Sequence, residues 1–85
     1  MKESEIRARM LELLSAVAPD IDPATIDPAL ELRDQFDFDS MDRLHFAVAV
    51  SEAFHIDIPE QDYPELAGLQ RACEYVAKRL IAAAQ

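Results

Sequence analysis

The run from Ser40 to Phe54 constrains the fold more than any other part of the chain, because its apolar residues cover most of a helix surface. At 100° per residue, a helix over this run places its apolar side chains in an arc of roughly 220°. The arc contains Met41, Leu44, Phe46, Ala47, Val48, Val50 and Phe54. A helix that is apolar over more than half of its circumference needs several neighbours, so we predict that it lies at the centre of a helical domain.

Two further helices are predicted on either side of this central one. A first helix runs from about Glu5 to Ala18, where apolar residues recur at three- and four-residue spacing until Pro19. A last helix follows Gly68, and the spacing of its apolar residues predicts a buried stripe. That stripe consists of Leu69, Ala72, Cys73, Val76, Leu80 and Ile81.

The long connection over residues 19–38 reads as an ordered loop. Three prolines and several aspartates give it turn chemistry. A structureless loop of this length is unusual in a compact domain. Its scattered apolar residues are sufficient to hold it against the helices, with a short turn near Ala29–Arg33.

A shorter connection follows the central helix. Ile56 and Ile58 alternate with polar residues, and no second strand is available to pair with them, so we expect them to insert into the core. Residues 60–66 form at most a short irregular helix, because Pro64 disfavours a helical conformation before it. The expected fold is therefore all-α, a single domain over residues 1–85 with three main helices, one short irregular helix and a long first loop.

Composition limits the class of protein. The chain has 85 residues, of which 51% are hydrophobic, and its single cysteine excludes an internal disulfide. The first residues lack a signal-peptide pattern, and no apolar run approaches the roughly 18 residues of a membrane span. We expect a soluble, cytoplasmic protein, and the polar outer faces of the first and last helices favour a monomer.

Negative charge is concentrated in the middle of the chain. The net charge is −9, and residues 20–65 contain thirteen acidic residues against only Arg33 and Arg43. Such a field repels nucleic acid and anionic membranes and attracts basic protein surfaces. Solubility alone is an alternative explanation of this charge.

Ser40 stands at the start of the central helix, between two acids. Asp39 is predicted to be the N-cap, since its carboxylate can accept a hydrogen bond from a free amide of the first turn. Asp42 places a second negative charge in that turn, which suits the helix dipole. The Ser40 hydroxyl therefore projects at a helix N-terminus, a position that also favours an attached phosphate.

Catalytic and metal sites are not predicted. Ser40 and His45 are five residues apart on one helix and about 140° apart in direction, so they cannot pair as nucleophile and base. Asp20, Asp22 and Glu31 match part of a calcium loop, but Ala24 and Thr25 stand where a ligand and the turn glycine belong. A zinc cluster, a glycine-rich phosphate loop and a basic patch for nucleic acid are absent from the sequence.

Several motifs in order resemble those of the acyl carrier protein family. They are Asp39-Ser40-Met41, the apolar helix that ends at Phe54, the loop His55-Ile56-Asp57-Ile58-Pro59 and a closing helix from Leu69 to Leu80. The resemblance covers essentially the whole chain. It implies a four-helix bundle of acyl-carrier type with a long first loop.

The resemblance also implies a function without catalysis. Ser40 corresponds to the serine that receives covalent 4′-phosphopantetheine from coenzyme A, on which thioester-linked acyl groups are held. Implied partners are a phosphopantetheinyl transferase and acyl-activating ligase, synthase or acyltransferase enzymes, in fatty acid or polyketide biosynthesis. We assign partner recognition to six residues of the motif and of the polar strip: Asp39, Met41, Asp42, Arg43, His45 and Glu52. We assign the lining of an acyl pocket to Met41, Leu44, Val48, Ile58 and Leu66.

Departures from the family pattern indicate a divergent, stand-alone member. Asp37 replaces a usual glycine, Met41 a usual leucine, and the exposed strip contains Arg43 and His45 where carriers of fatty acid synthesis are rich in glutamate. We therefore favour an acyl or aminoacyl carrier of a specialised lipid or secondary-metabolite pathway. The alternatives are a central fatty-acid-synthesis carrier, a helical interaction module without cargo, and a small calcium-binding protein.

Overall fold

The predicted helices are present, with small differences in their bounds. The computed structural model describes residues 1–84, which form four α-helices: α1 (Glu3–Val17), α2 (Leu32–Gln35), α3 (Ser40–Phe54) and α4 (Leu69–Ala84). Two 3₁₀ helices, Pro23–Thr25 and Glu60–Leu66, lie in the connections. Within the described residues the only extended pairing is an isolated bridge between Glu31 and Gly68. The prediction of an all-α bundle with a long first loop is confirmed.

Helix α3 has no more neighbours than α4, so the prediction that it lies at the centre of the domain is not confirmed. It packs against α1 and against the 3₁₀ helix Glu60–Leu66, and α4 packs against those same two elements. Phe46 and Val50 are completely buried, and the ring of Phe46 meets the edge of Phe38 with centroids 6.4 Å apart. Edge-to-face aromatic pairs of this kind add to the stabilisation from burial.

The wide apolar arc of α3 is buried on one side only. Phe46, Ala47, Val50 and Phe54 are in the core, whereas Met41, Leu44 and Val48 are 55%, 38% and 46% exposed. The prediction that the whole arc contacts neighbours is therefore wrong. The reason is that α1 and the 3₁₀ helix cover two sides of α3, and no other described element covers the third.

The stripe predicted for α4 is correct except at its end. Leu69, Ala72, Cys73 and Val76 are buried, but Ile81 is 61% exposed. The last described turn of α4 extends beyond the elements on which the helix packs, so its apolar residues remain accessible.

The long first loop is held by apolar residues, as predicted, since Ile21, Leu32 and Phe38 are buried, although Leu30 is 50% exposed. Hydrogen bonds, which were not predicted, also order it. The Gln35 amide donates to the Asp27 and Leu30 carbonyls at 2.8 and 3.1 Å. Backbone bonds from Leu32 N–H to the Ala67 carbonyl (2.8 Å) and from Gln70 N–H to the Pro28 carbonyl (3.0 Å) join the loop to the start of α4. These bonds fix the loop and the start of α2 beside the N-terminus of α4.

Gly68 allows a close approach at this junction. A Cβ added at Gly68 would lie 3.1 Å from the Leu30 carbonyl oxygen, closer than ordinary van der Waals contact. A larger residue would require the backbone at Leu30 to shift by a few tenths of an ångström.

The chain leaves α3 through a left-handed residue. His55 has φ 55° and ψ 44°, and the Ile56 N–H then donates to the Ser51 carbonyl at 3.2 Å. This turn directs Ile56 and Ile58 into the core, where they are 7% and 8% exposed, as predicted.

Candidate functional site

Ser40 is the first residue of α3, and its side chain is exposed. The helix start is fixed by two reciprocal hydrogen bonds: Asp42 N–H donates to the Asp39 carboxylate at 2.9 Å, and Asp39 N–H donates to the Asp42 carboxylate at 3.2 Å. Such a capping box satisfies amides that the helix leaves free. The two acids therefore hold the backbone that presents the Ser40 hydroxyl.

Neither histidine of the chain can activate Ser40. His45 lies five residues further along α3, about 7.5 Å along the axis, and His55 stands at the opposite end of the helix. A serine hydroxyl needs an adjacent base to act as a nucleophile. The geometry therefore suits a serine that another enzyme modifies.

A cavity of about 450 Å³ opens beside Ser40, and we call it the Ser40 cavity. Its wall comes from the first loop with α2, from the start of α3, and from the 3₁₀ helix Glu60–Leu66 with the start of α4. The lining residues are Glu31, Arg33, Phe38, Asp39, Ser40, Arg43, Pro64, Ala67 and Arg71.

The charge of the Ser40 cavity differs from that of the surrounding chain. Three arginines line it, against the carboxylates of Glu31 and Asp39. Arg33 pairs with Glu31 at 2.8 Å, and Arg71 pairs with Glu65 at 3.1 Å. The Nε–H of Arg43, by contrast, is buried without a hydrogen-bond partner in the described part of the chain.

The residues assigned to partner recognition fall into two groups. Asp39, Met41, His45 and Glu52 are exposed, so they are accessible to another protein. Asp42 and Arg43 are partly buried: the first is engaged in the capping box, and the second lines the Ser40 cavity. A role for these six residues in recognition stays a prediction.

The residues assigned to an acyl pocket do not line the Ser40 cavity. Met41, Leu44 and Val48 lie on the uncovered side of α3, while Ile58 and Leu66 are part of the core. Their role in sheltering cargo also stays a prediction.

The sequence interpretation missed Arg33 and Arg71 as residues of this site. One signal was available, since Arg33 and Arg43 are the only bases in the acidic stretch over residues 20–65. No pattern in the sequence, however, indicated that Arg33, Arg43 and Arg71 line one cavity.

The 3₁₀ helix Glu60–Leu66, which forms one wall of the cavity, is attached to α4 by a polar cluster. The Tyr75 hydroxyl donates to the Asp62 carboxylate at 2.7 Å, and Arg79 donates to the Tyr75 oxygen at 3.1 Å and to the Asp57 carbonyl. Burial, followed by the hydrogen bond to Asp62, raises the pKa of Tyr75 to about 12. The neutral phenol is therefore the form that the folded chain favours.

Two features are absent from residues 1–84. No group of three or more histidine, cysteine, aspartate or glutamate side chains is arranged to hold a metal ion. No helix there has both the length and the apolar character needed to cross a membrane.

Comparison with known proteins gives a consistent result. The family model described as a phosphopantetheine attachment site matches residues 5–76. The chain is 28% identical over 76 residues to the mitochondrial acyl carrier protein of Neurospora crassa, which covers 89% of this chain and 57% of that protein. It is 29% identical over 70 residues to a putative mitochondrial acyl carrier protein of Schizosaccharomyces pombe, covering 82% of this chain and 62% of that protein.

A third relative matches over its full length. The acyl carrier protein of Guillardia theta is 24% identical over 82 residues, covering 96% of this chain and 100% of that protein. The chain thus spans about three fifths of the length of the two mitochondrial relatives.

Proposed function

Because the chain belongs to the acyl carrier protein family, we propose that its 4′-phosphopantetheine is attached to Ser40 and that it delivers acyl or aminoacyl groups to partner enzymes. As a member of this family it is a carrier without catalytic activity of its own, and its cofactor is bound covalently. When attached, the cofactor supplies a flexible arm whose terminal thiol holds the cargo as a thioester.

The observation on which the proposal depends is the position of Ser40. Its exposed side chain is the first of a 15-residue helix, next to a cavity and out of reach of a histidine base. A phosphodiester at this oxygen would be stabilised by the positive end of the helix dipole, since Ser40 is the first residue of α3. The residues present therefore fit the group.

We further propose that partners bind the exposed side of α3. Met41, Leu44 and Val48 offer an apolar strip there, bordered by polar residues that include His45 and Glu52. Acidic surfaces raise encounter rates with basic partners more than they lengthen complexes, which suits a carrier visited in turn by several enzymes. The partners proposed are a phosphopantetheinyl transferase and an acyl-activating ligase, synthase or acyltransferase.

A specialised lipid or secondary-metabolite pathway is proposed over general fatty acid synthesis. The support is the replacement of acidic positions on the α3 strip by Arg43 and His45, and of the usual glycine by Asp37. The proposal includes a monomeric, cytoplasmic protein, in keeping with the unpaired, buried Cys73.

Intact mass spectrometry tests the attachment site. After incubation with coenzyme A and a broad-specificity phosphopantetheinyl transferase, we expect the mass of one phosphopantetheinyl group to be added to the wild type and to Ser4→Ala. Ser40→Ala should gain nothing while its helical circular dichroism is retained. An unchanged wild-type mass with several transferases would favour the interaction module without cargo.

A further inference from the structure

Arginines gather at the Ser40 cavity although the surrounding sequence is acidic. Both bases of the stretch over residues 20–65, Arg33 and Arg43, line it, and Arg71 approaches from α4. Glu31 neutralises Arg33 and Glu65 neutralises Arg71, so Arg43 is the lining arginine that has no salt bridge within residues 1–84. A purely apolar acyl chain in this cavity would remove water from the Arg43 guanidinium without giving it a partner, which is unfavourable.

Arg43 is the lining arginine whose hydrogen-bonding capacity is least satisfied by the protein itself. The side chains of Arg33 and Arg71 are 73% and 51% exposed, and each already pairs with a glutamate. The Nε–H of Arg43 is buried and has no partner among the described residues. A buried donor is unfavourable until an acceptor reaches it. A carboxylate provides the acceptor that matches a guanidinium best, through two parallel hydrogen bonds.

The size of the cavity indicates a ligand larger than a phosphodiester. Its volume of about 450 Å³ is within the range of sites that enclose small organic molecules. Ser40 lies in its wall, so an arm attached there can fold back and place the end of a short cargo inside.

We propose that the Ser40 cavity binds acyl cargo that ends in a carboxylate, with Arg43 as the residue that pairs with this group. The inference rests on the proposed function, because the cargo reaches the cavity on the arm attached to Ser40. The phosphodiester of the arm has the same anionic chemistry and lies close to Arg43, so the experiment must distinguish the two anions.

The test compares three forms of the protein: one with the unloaded arm, one with a glutaryl group, and one with a neutral group of the same shape in which isopropyl replaces the carboxylate. All three are made by the transferase from the corresponding coenzyme A derivatives and checked by mass. We expect the glutaryl form to melt about 6–12 °C above the neutral form, the shift that a weak charge-assisted hydrogen bond gives in a domain of this size.

Two variants locate the effect. Arg43→Gln should abolish the difference in melting temperature between the glutaryl form and the neutral form. Arg9→Gln removes the same charge from the exposed face of α1, and it should preserve that difference. In nuclear magnetic resonance spectra, the Nε–H signal of Arg43 should move downfield only with the glutaryl cargo.

Equal melting temperatures for the two cargoes would overturn the proposal. So would a full shift of the Arg43 signal in the unloaded form, which would assign this side chain to the phosphodiester. If the proposed function itself is wrong, the mass check that precedes the melting experiment will show no added group. That result would remove the basis of this inference as well.

Discussion

At the scale of single residues, the backbone of His55 is the most unusual feature of the chain. It is the only non-glycine residue with positive φ among those the structure describes, and it is exposed. The left-handed conformation costs a residue with a Cβ about 1–2 kcal/mol. The strain persists because this turn is what directs Ile56 and Ile58 into the core.

His55→Gly should therefore stabilise the protein. Relief of the left-handed strain exceeds the entropy that glycine adds to the unfolded chain, so we expect a gain of about 0.5–1 kcal/mol in the free energy of unfolding. Urea denaturation measures it. The control is His45→Gly, in the exposed middle of α3, which should cost about 1 kcal/mol. Destabilisation by both substitutions would show that the side chain of His55 contributes more than its backbone costs.

Local residue patterns predicted both bounds of α3, but not the left-handed turn at His55 that follows it. Asp39 and Asp42 are three residues apart, and the capping box depends on that spacing alone. The conformation of His55 depends instead on where Ile56 finds space in the core, which involves other helices. A sequence can show the first kind of feature directly, and the second only after the packing is known.

At the scale of elements, the cluster of Tyr75, Asp62 and Arg79 holds the 3₁₀ helix Glu60–Leu66 against α4. That 3₁₀ helix contains Pro64, which has no backbone N–H to donate. Its position, and with it one wall of the Ser40 cavity, therefore depends on side-chain bonds to α4.

Tyr75→Phe should lower stability by about 1 kcal/mol at neutral pH, because it removes the hydroxyl from two hydrogen bonds. The raised pKa of Tyr75, about 12 against an ordinary 10, adds a pH dependence. The unfolded chain ionises first, so the contribution of this group is complete below pH 10 and is lost as the pH rises toward 12.

The difference in stability between the wild type and Tyr75→Phe should consequently become smaller as the pH rises from 10 toward 12. Thermal melts from pH 7 to pH 11 would measure it, with Tyr63→Phe as the control for loss of a phenol outside the cluster. A difference that is constant with pH would contradict the role given to the Tyr75 hydroxyl.

The exposed strip of α3 makes a second prediction at this scale. If His45 weakens docking to enzymes of general fatty acid synthesis, His45→Glu should raise the association rate with such an enzyme several-fold at low salt. Lys78→Gln makes the same change in net charge on α4 and should have little effect. An equal increase in the association rate with both variants would show that net charge causes the effect, and not the exposed strip of α3.

The periodicity of the apolar residues in α3 and α4 predicted accurately where the helices lie in the sequence. It was less accurate in predicting which of these apolar residues are buried. Which apolar residues are covered depends on how many neighbours a helix has, and a single helix pattern does not contain that number. Met41, Leu44 and Val48 therefore remain on the surface, and so does Ile81.

At the scale of the whole molecule, the Ser40 cavity is a product of long-range contacts. Arg33, Arg43 and Arg71 come from three different elements, and the backbone bonds from Leu32 to Ala67 and from Gln70 to Pro28 bring these elements together. Helix boundaries and the Ser40 position depend on local spacing and could be predicted. The cavity and its charge could not, because they depend on how the loop docks.

The most direct test of this account is to locate the added group by fragmentation of the modified protein in a tandem mass spectrometer. The account predicts a single phosphopantetheinyl group on Ser40, in a chain that retains its helical circular dichroism spectrum. A group found on another residue, or a chain that no transferase modifies, would contradict it.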